Sequence, residues 1–208
     1  MPRSIFAQKD NLQYRLAGAS ALLGVSSNTM RAYADNAGVR IKRADELKPG
    51  APAVRIFDPD QIFQIAAWKR GLNLNRLPDR RPIVITVDVI KGGTGKTTTS
   101  VELALHLQLT GLKVLVVDLD IQANATQMLG YEPDLTIGEA ETYDLMPDAI
   151  VEHTFASIML PYIASKSGSR GGMQCPSSSE LIKMPFGIAG PHLIPSDPFL
   201  GDVEAALA

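Results

Sequence analysis

The sequence predicts an α/β fold, a parallel sheet with crossover helices, preceded by a small and mainly helical unit. Three observations predict it. An apolar, β-branched run, IVITVDV (83–89), is followed by a glycine-rich turn, a helical stretch and a second apolar run, VLVVDLD (114–120), which is the order of a βαβ unit. N-terminal to this, two short helical patterns meet at Gly24. The charge divides where the first apolar run begins: residues 1–82 carry 14 Lys+Arg against 7 Asp+Glu, and residues 83–208 carry 6 against 15. The net charge of −2 over 208 residues conceals this division. A basic segment joined to an acidic one indicates two modules with different partners, and the basic one suits nucleic acid.

Each element has a local reason. Leu16, Ala19, Leu22 and Leu23 recur at helical spacing until Gly24 breaks the pattern. Ser26 stands where an N-cap starts a second helix through Thr29, Met30 and Tyr33 to Asn36, stopped at Gly38. This is a helix-turn-helix pattern. VRIKRADELKPGAPAVRIFD (39–58) has a β-rich VRI at each end and predicts a small wing. Asp58 then caps a third helix that has Pro59 at its first position. The stretch 73–82, with Pro78 and Pro82, reads as a linker between a first domain (1–72) and a second (83–208). In the second domain IVITVDV reads as a buried strand, TTSVELALHLQLTG as a helix ending at Gly111, and VLVVDLD as another buried strand. SKSGSRGGMQCPSSS (165–179) reads as a flexible insertion, HLIPSD (192–197) as a short strand, and 200–207 as a helix.

Several classes are excluded. No apolar run approaches the ~20 residues that span a bilayer, and the N-terminus lacks the apolar stretch of a signal peptide. The single Cys175 forms no internal disulfide, and three scattered histidines have no ligand spacing. A cytoplasmic location without membrane partners is the expectation.

Lys91–Thr98, KGGTGKTT, carries the strongest chemistry. Glycines let backbone N–H groups converge on phosphate oxygens, and the helix that starts there adds its dipole. Lys96 is placed to reach the β- and γ-phosphates of a nucleotide, and the Thr97 hydroxyl to ligate Mg²⁺. The bland alternative, a glycine turn with incidental lysines, does not account for the strand before it and the helix after it.

Lys91-Gly92-Gly93-Thr94-Gly95-Lys96-Thr97-Thr98 resembles the deviant Walker A loop of the ParA/MinD ATPases, and VLVVDLDIQANAT (114–126) is similar to their second signature. ETYDLM near 141 and HLIPSD with VEAAL near 192–207 look like the ParA partition proteins in particular. The resemblance covers about 83–208 and implies a P-loop NTPase that takes ATP and Mg²⁺. It implies that Lys91 reaches across a nucleotide-sandwich homodimer, that Lys96 holds phosphates in its own subunit, and that Thr97 binds Mg²⁺. Asp120 matches the acidic residue that positions the attacking water, and Asp118 supports the metal shell; the alternative for Asp118 is a strand-end carboxylate satisfied by the protein itself. It further implies binding to DNA, a nucleoid-associated location, autoregulation of the operon, and a ParB-like centromere-binding partner. The sequence departs from the family pattern where Val89-Ile90 replaces Asn-x before Lys91, and where Ile121 replaces a proline. Nothing after Gln122 matches the strand ending in Asp-x-Pro-Pro, so the expected P-loop domain is an incomplete one, its N-terminal part. That leaves an alternative function: a non-catalytic DNA-binding transcriptional regulator derived from a truncated partition ATPase. A membrane-cycling MinD-like role lacks its C-terminal amphipathic helix, and an iron-protein role lacks its cysteines.

The N-terminal segment resembles the MerR-type winged helix-turn-helix. On that resemblance Leu16, Leu22, Leu23, Val25, Met30, Ile56, Ile62 and Ile65 are core. Ser27, Asn28 and Arg31 face the major groove, and Arg40, Lys42, Arg43 and Arg55 contact phosphates. Trp68 and Tyr33 are expected in the core. A solvated basic face on a dimerisation domain is the alternative.

Overall fold

The computed structural model describes residues 12–73, 81–88, 91–166 and 175–207. Strand β1 (Tyr14–Arg15) leads directly into α1 (Leu16–Leu22), and Gly24, at φ 61°, turns the chain toward α2 (Ser27–Asn36). The left-handed conformation that a glycine adopts without strain makes this turn short. Ser26 caps α2 by accepting a hydrogen bond from the Thr29 amide at 3.1 Å. Then come β2 (Lys42–Arg43), α3 (Ala44–Leu47) and β3 (Arg55–Phe57). The three strands form an antiparallel sheet in the order β1-β3-β2, with Tyr14 opposite Phe57 and Lys42 opposite Ile56. Helix α4 (Pro59–Asn73) starts from a reciprocal cap: the Gln61 amide donates to Asp58 Oδ1 at 2.8 Å, and the Asp58 amide to Gln61 Oε1 at 3.0 Å. The same Gln61 side chain donates through Nε2 to the Arg40 carbonyl at 2.9 Å, tying the helix start to the chain before β2.

The second half contains α5 (Lys96–Leu109), β4 (Leu115–Val117), α6 (Asn124–Met128), α7 (Ile137–Ala140), α8 (Ala156–Lys166), α9 (Ser178–Leu181), β5 (His192–Ile194) and α10 (Leu200–Leu207). β4 and β5 pair in parallel, Val116 opposite Leu193, so the predicted parallel sheet is present. Its backbone bonds extend one residue each way, from the His192 amide to Val114 O and from the Asp118 amide to Ile194 O, both at 3.0 Å. Helix α8 packs on α10 through Ala156, Leu200 and Val203.

One predicted strand is not formed. Residues 81–88 pair with no strand, and Ile83 and Val84 are 84% and 89% exposed. A strand that is apolar on both faces needs neighbours on both edges and cover on both faces. Among the described residues the sheet offers two strands of three residues each. One face of it, with Leu115 and Val117, is open. Val89 lies outside the described residues, as do 167–174 of the expected insertion and 74–80 of the expected linker; α4 itself continues through Asn73. Leu22 is a second difference: it is 37% exposed, because α1 turns Ala19 and Leu23 inward instead.

The two halves share one core. Ala19, Leu23, Met30, Phe57, Ile62, Phe63 and Ile65 from the first join Val101, Leu109, Ala125, Leu129, Phe186 and Leu193 from the second. The Phe63 and Phe186 rings lie 5.4 Å apart between centroids, and Tyr33 meets Trp68 at the same distance within the first half. Helix α5 ends against α4 at Gly111, φ 95°, where a Cβ atom would lie 3.0 Å from Arg70 Cβ. Gln108 fastens the third side: its Nε2 donates to Ala189 O, and its Oε1 accepts from the Val114 amide. A shared core predicts shared melting. Phe63→Ala is expected to cost about 3–5 kcal/mol, measured by urea denaturation. In the unsubstituted protein Trp68 fluorescence and far-UV dichroism should trace one transition. Two resolved transitions would show that the halves unfold independently.

Candidate functional site

Helix α5 packs on β4, and the short connection 110–114 between them sets helix and strand antiparallel, so the N-terminus of α5 and the C-terminus of β4 lie at the same edge of the sheet. Ligands of α/β sheets bind at this carboxyl edge. The sequence places its two chemical motifs here, one on each element.

The glycine-rich loop leads into α5 through left-handed turns at Gly93 (φ 71°) and Gly95 (φ 78°), and the Thr94 hydroxyl bonds to Lys91 O at 3.1 Å. Lys91, Gly92, Gly93, Thr94 and Gly95 are exposed; Lys96 and Thr97 are half-buried and Thr98 is exposed. Gly95 is the N-cap and carries no side chain to bond the first-turn amides of this 14-residue helix. Among the described residues those amides have no side-chain cap, and the helix dipole adds to their attraction for an anion. Lys96 and Thr97 occupy the first two helical positions, so an ammonium and a hydroxyl stand beside the same amides. This donor set suits a phosphate group and a hard cation bound to it.

The second motif forms the loop between β4 and α6. Asp118 is 5% exposed and its carboxylate is already engaged. Oδ1 accepts from the Asp120 amide at 3.2 Å, and Oδ2 accepts from the Thr126 amide at 2.9 Å and the Thr126 hydroxyl at 2.8 Å. Three donors inside the protein match the reading of a satisfied strand-end carboxylate. Asp120 is half-buried, and its Oδ1 accepts from the Gln122 amide at 3.0 Å. Among the described residues no group of three or more His, Cys, Asp or Glu is disposed to hold a metal by itself. Thr126 closes the 114–126 run that resembles the second signature, but the sequence gives it no role of its own, and the fold brings it under Asp118.

The basic module presents its residues on two elements. Asn28 and Arg31 are exposed on α2, with Arg31 Nη1 donating to Asn28 Oδ1 at 3.1 Å; Ser27 is half-buried at the first turn. Arg40, Lys42 and Arg43 are exposed at and before the edge strand β2. Arg55 is different: its Nη2 pairs with Asp35 Oδ1 at 2.9 Å, joining the wing to α2, and its Nη1 is buried with no hydrogen-bond partner among the described residues. No helix among the described residues is long and apolar enough to cross a membrane.

The unequal engagement of the two carboxylates has a measurable consequence. Asp118→Ala strands the buried Thr126 donors and is expected to cost about 2–4 kcal/mol in urea denaturation, whereas Asp120→Ala should cost less than about 1 kcal/mol. Equal losses would contradict the geometry.

The chain is similar to several known proteins. The family described as AAA domain matches residues 83–206. Protein SopA of Escherichia coli strain K12 is 36% identical over 143 residues, 65% of this chain and 35% of its own length. The sporulation initiation inhibitor protein Soj of Bacillus subtilis is 40% identical over 78 residues, 34% of this chain and 31% of its own. The chromosome-partitioning ATPase Soj of Thermus thermophilus is 60% identical over 40 residues, 19% of this chain and 16% of its own. No solved structure matches. The chain spans about a third or less of the length of these curated relatives. With the family match covering both the phosphate loop and the Asp-x-Asp loop, the chain belongs to the AAA-domain family, and its similarity to SopA and Soj is of the ParA-like kind.

Proposed function

We propose that this chain binds ATP with Mg²⁺ at Lys91–Thr98, dimerises around the nucleotide, and couples its hydrolysis to DNA binding in a partition system that includes a ParB-like partner. The observation that carries the reading is the uncapped N-terminus of α5, with Lys96 and Thr97 on its first turn, at the same sheet edge as Asp118 and Asp120. Lys96 offsets charge on the phosphates, and the first-turn amides orient their oxygens. Thr97 holds Mg²⁺, which when bound shares the neutralisation of phosphate charge. Asp120 orients a water for attack, and Lys91, on the exposed part of the loop, reaches the nucleotide of a second copy. Asn28 and Arg31 read base edges from α2. Ser27 supports that helix start, and Arg40, Lys42 and Arg43 meet phosphates from the wing. Arg55 serves this surface through its pair with Asp35. The local excess of positive charge supports the nucleic-acid role, and the reading extends to operon autoregulation and residence on the nucleoid.

A second reading, a non-catalytic DNA-binding regulator, is favoured by one observation: the apolar residues 83–85 before the phosphate loop are exposed and unpaired. One set of measurements separates the two. In the first reading Lys96→Ala lowers ATP turnover at least ~100-fold, and Lys91→Ala abolishes ATP-dependent dimerisation in sedimentation runs. If the purified chain neither binds nor hydrolyses ATP yet still shifts a duplex DNA fragment, the regulator reading stands. For the DNA surface, Lys42→Ala should reduce the slope of log affinity against log salt by about one, and Arg31→Ala should weaken discrimination between fragments. Unchanged anisotropy titrations in both variants would remove the module from DNA.

A further inference from the structure

We infer that Thr126 is the positioning residue of the Asp118–Gln122 loop, holding Asp118, and through it Asp120, at the carboxyl edge of the sheet. The inference deepens the nucleotide reading and rests on it for the role of Asp120. Thr126 is 0% exposed and sits at the third position of α6. Its amide and its hydroxyl both donate to the same oxygen, Asp118 Oδ2. The hydroxyl oxygen in turn accepts from the Ser196 amide at 3.1 Å, and Ser196 is 1% exposed. A hydroxyl has one proton to give and lone pairs to receive, so a single side chain joins three pieces of chain: the end of β4, the first turn of α6 and the segment after β5.

The loop hangs from this joint. Asp118 Oδ1 receives the Asp120 amide, Asp120 Oδ1 receives the Gln122 amide, and Asp120 O receives the Ala123 amide at 2.9 Å. The N-cap of α6 is Ala123, which has no side-chain acceptor and stands at φ 50°, a conformation costly for any residue with a Cβ. Asp118 therefore supplies from outside the helix the cap that Ala123 cannot, and the strained Ala123 persists because both of its flanks are fixed. Buried, charge-assisted bonds of this kind are the strong ones, and water does not compete for them. The bond from Ser196 uses its backbone, so the Ser196 side chain itself is dispensable to the joint.

The test uses the full chain and the variants Thr126→Val, which keeps the shape without the hydroxyl, Thr126→Ser, which keeps the hydroxyl, and Asp118→Asn. Amide hydrogen exchange should rise at residues 118–126 and at Ser196 in Thr126→Val, with α2 unchanged, and should match the unsubstituted protein in Thr126→Ser. Steady-state kcat for ATP with Mg²⁺ should fall about 10- to 100-fold in Thr126→Val. The affinity for a fluorescent non-hydrolysable ATP analogue should stay within about threefold, and Thr126→Ser should restore kcat. Normal exchange in Thr126→Val overturns the inference, and so does a parallel loss of kcat and analogue affinity. If Thr126→Val does not fold, Thr126→Ser and Asp118→Asn decide: a Ser variant with a loosened loop, or an Asn variant with a fully protected one, overturns it. Failure of the unsubstituted chain to take up the analogue overturns the nucleotide reading alone, and the exchange pattern still judges Thr126.

Discussion

Helix α5 carries its N-terminus to the phosphate loop and its apolar flank into a core built from both halves of the chain. Val101 and Leu109 are buried there with Ile62, Phe63 and Ile65 of α4, with Ala125 and Leu129 from α6 and the residue after it, and with Leu193 of β5. A helix that is apolar over more than one face is stable only when several partners cover it at once. The basic module thus supplies part of the cover for the helix that bears the phosphate loop. Gly111 makes that approach possible, because any Cβ at its left-handed turn would press on Arg70. Gln108 completes it by satisfying two backbone groups with one buried amide.

The carboxyl edge of the sheet is ordered by polar bonds rather than by packing. Asp118 is buried with three donors and Asp120 is half-buried beside it, so two carboxylates two residues apart have opposite constraints. A fully engaged carboxylate fixes a loop, whereas a partly engaged one keeps lone pairs free for a further donor.

Much of the local structure was legible in the sequence because its signals are local. Ser26, Asp58 with Pro59, and Gly111 mark helix ends within a residue or two of where they lie, since a cap acts on amides three residues away. The phosphate loop was legible for a related reason: glycine spacing and the helix after it are contiguous. What escaped depends on separation. Phe63 meets Phe186 across 123 positions, and the Ser196 amide meets Thr126 across 70, and no period or spacing encodes either. The run IVITVDV failed in the opposite direction. Its composition states a preference for burial on both faces, yet composition cannot supply neighbours, and the short parallel pair leaves residues 83–88 unpaired. Leu22 shows the same limit at small scale, since helical spacing alone admits either Leu22 or Leu23 as the inward residue.

The charge division takes a sharper form once the ion pairs are placed. Arg55 spends its charge on Asp35, so within the basic module it acts as a strut between the wing and α2 rather than as part of the outward field. Among the described residues the outward field then includes Arg31 on α2 and Arg40, Lys42 and Arg43 at and before β2, together with Arg15 and Lys48. A strut and a spaced set of cations have separate physical signatures. Loss of an outward cation weakens the surface field without touching the fold, while loss of Arg55 frees the wing from α2 and leaves Asp35 without its partner. The geometry of a basic surface is therefore set as much by the charge held back from it as by the charges displayed.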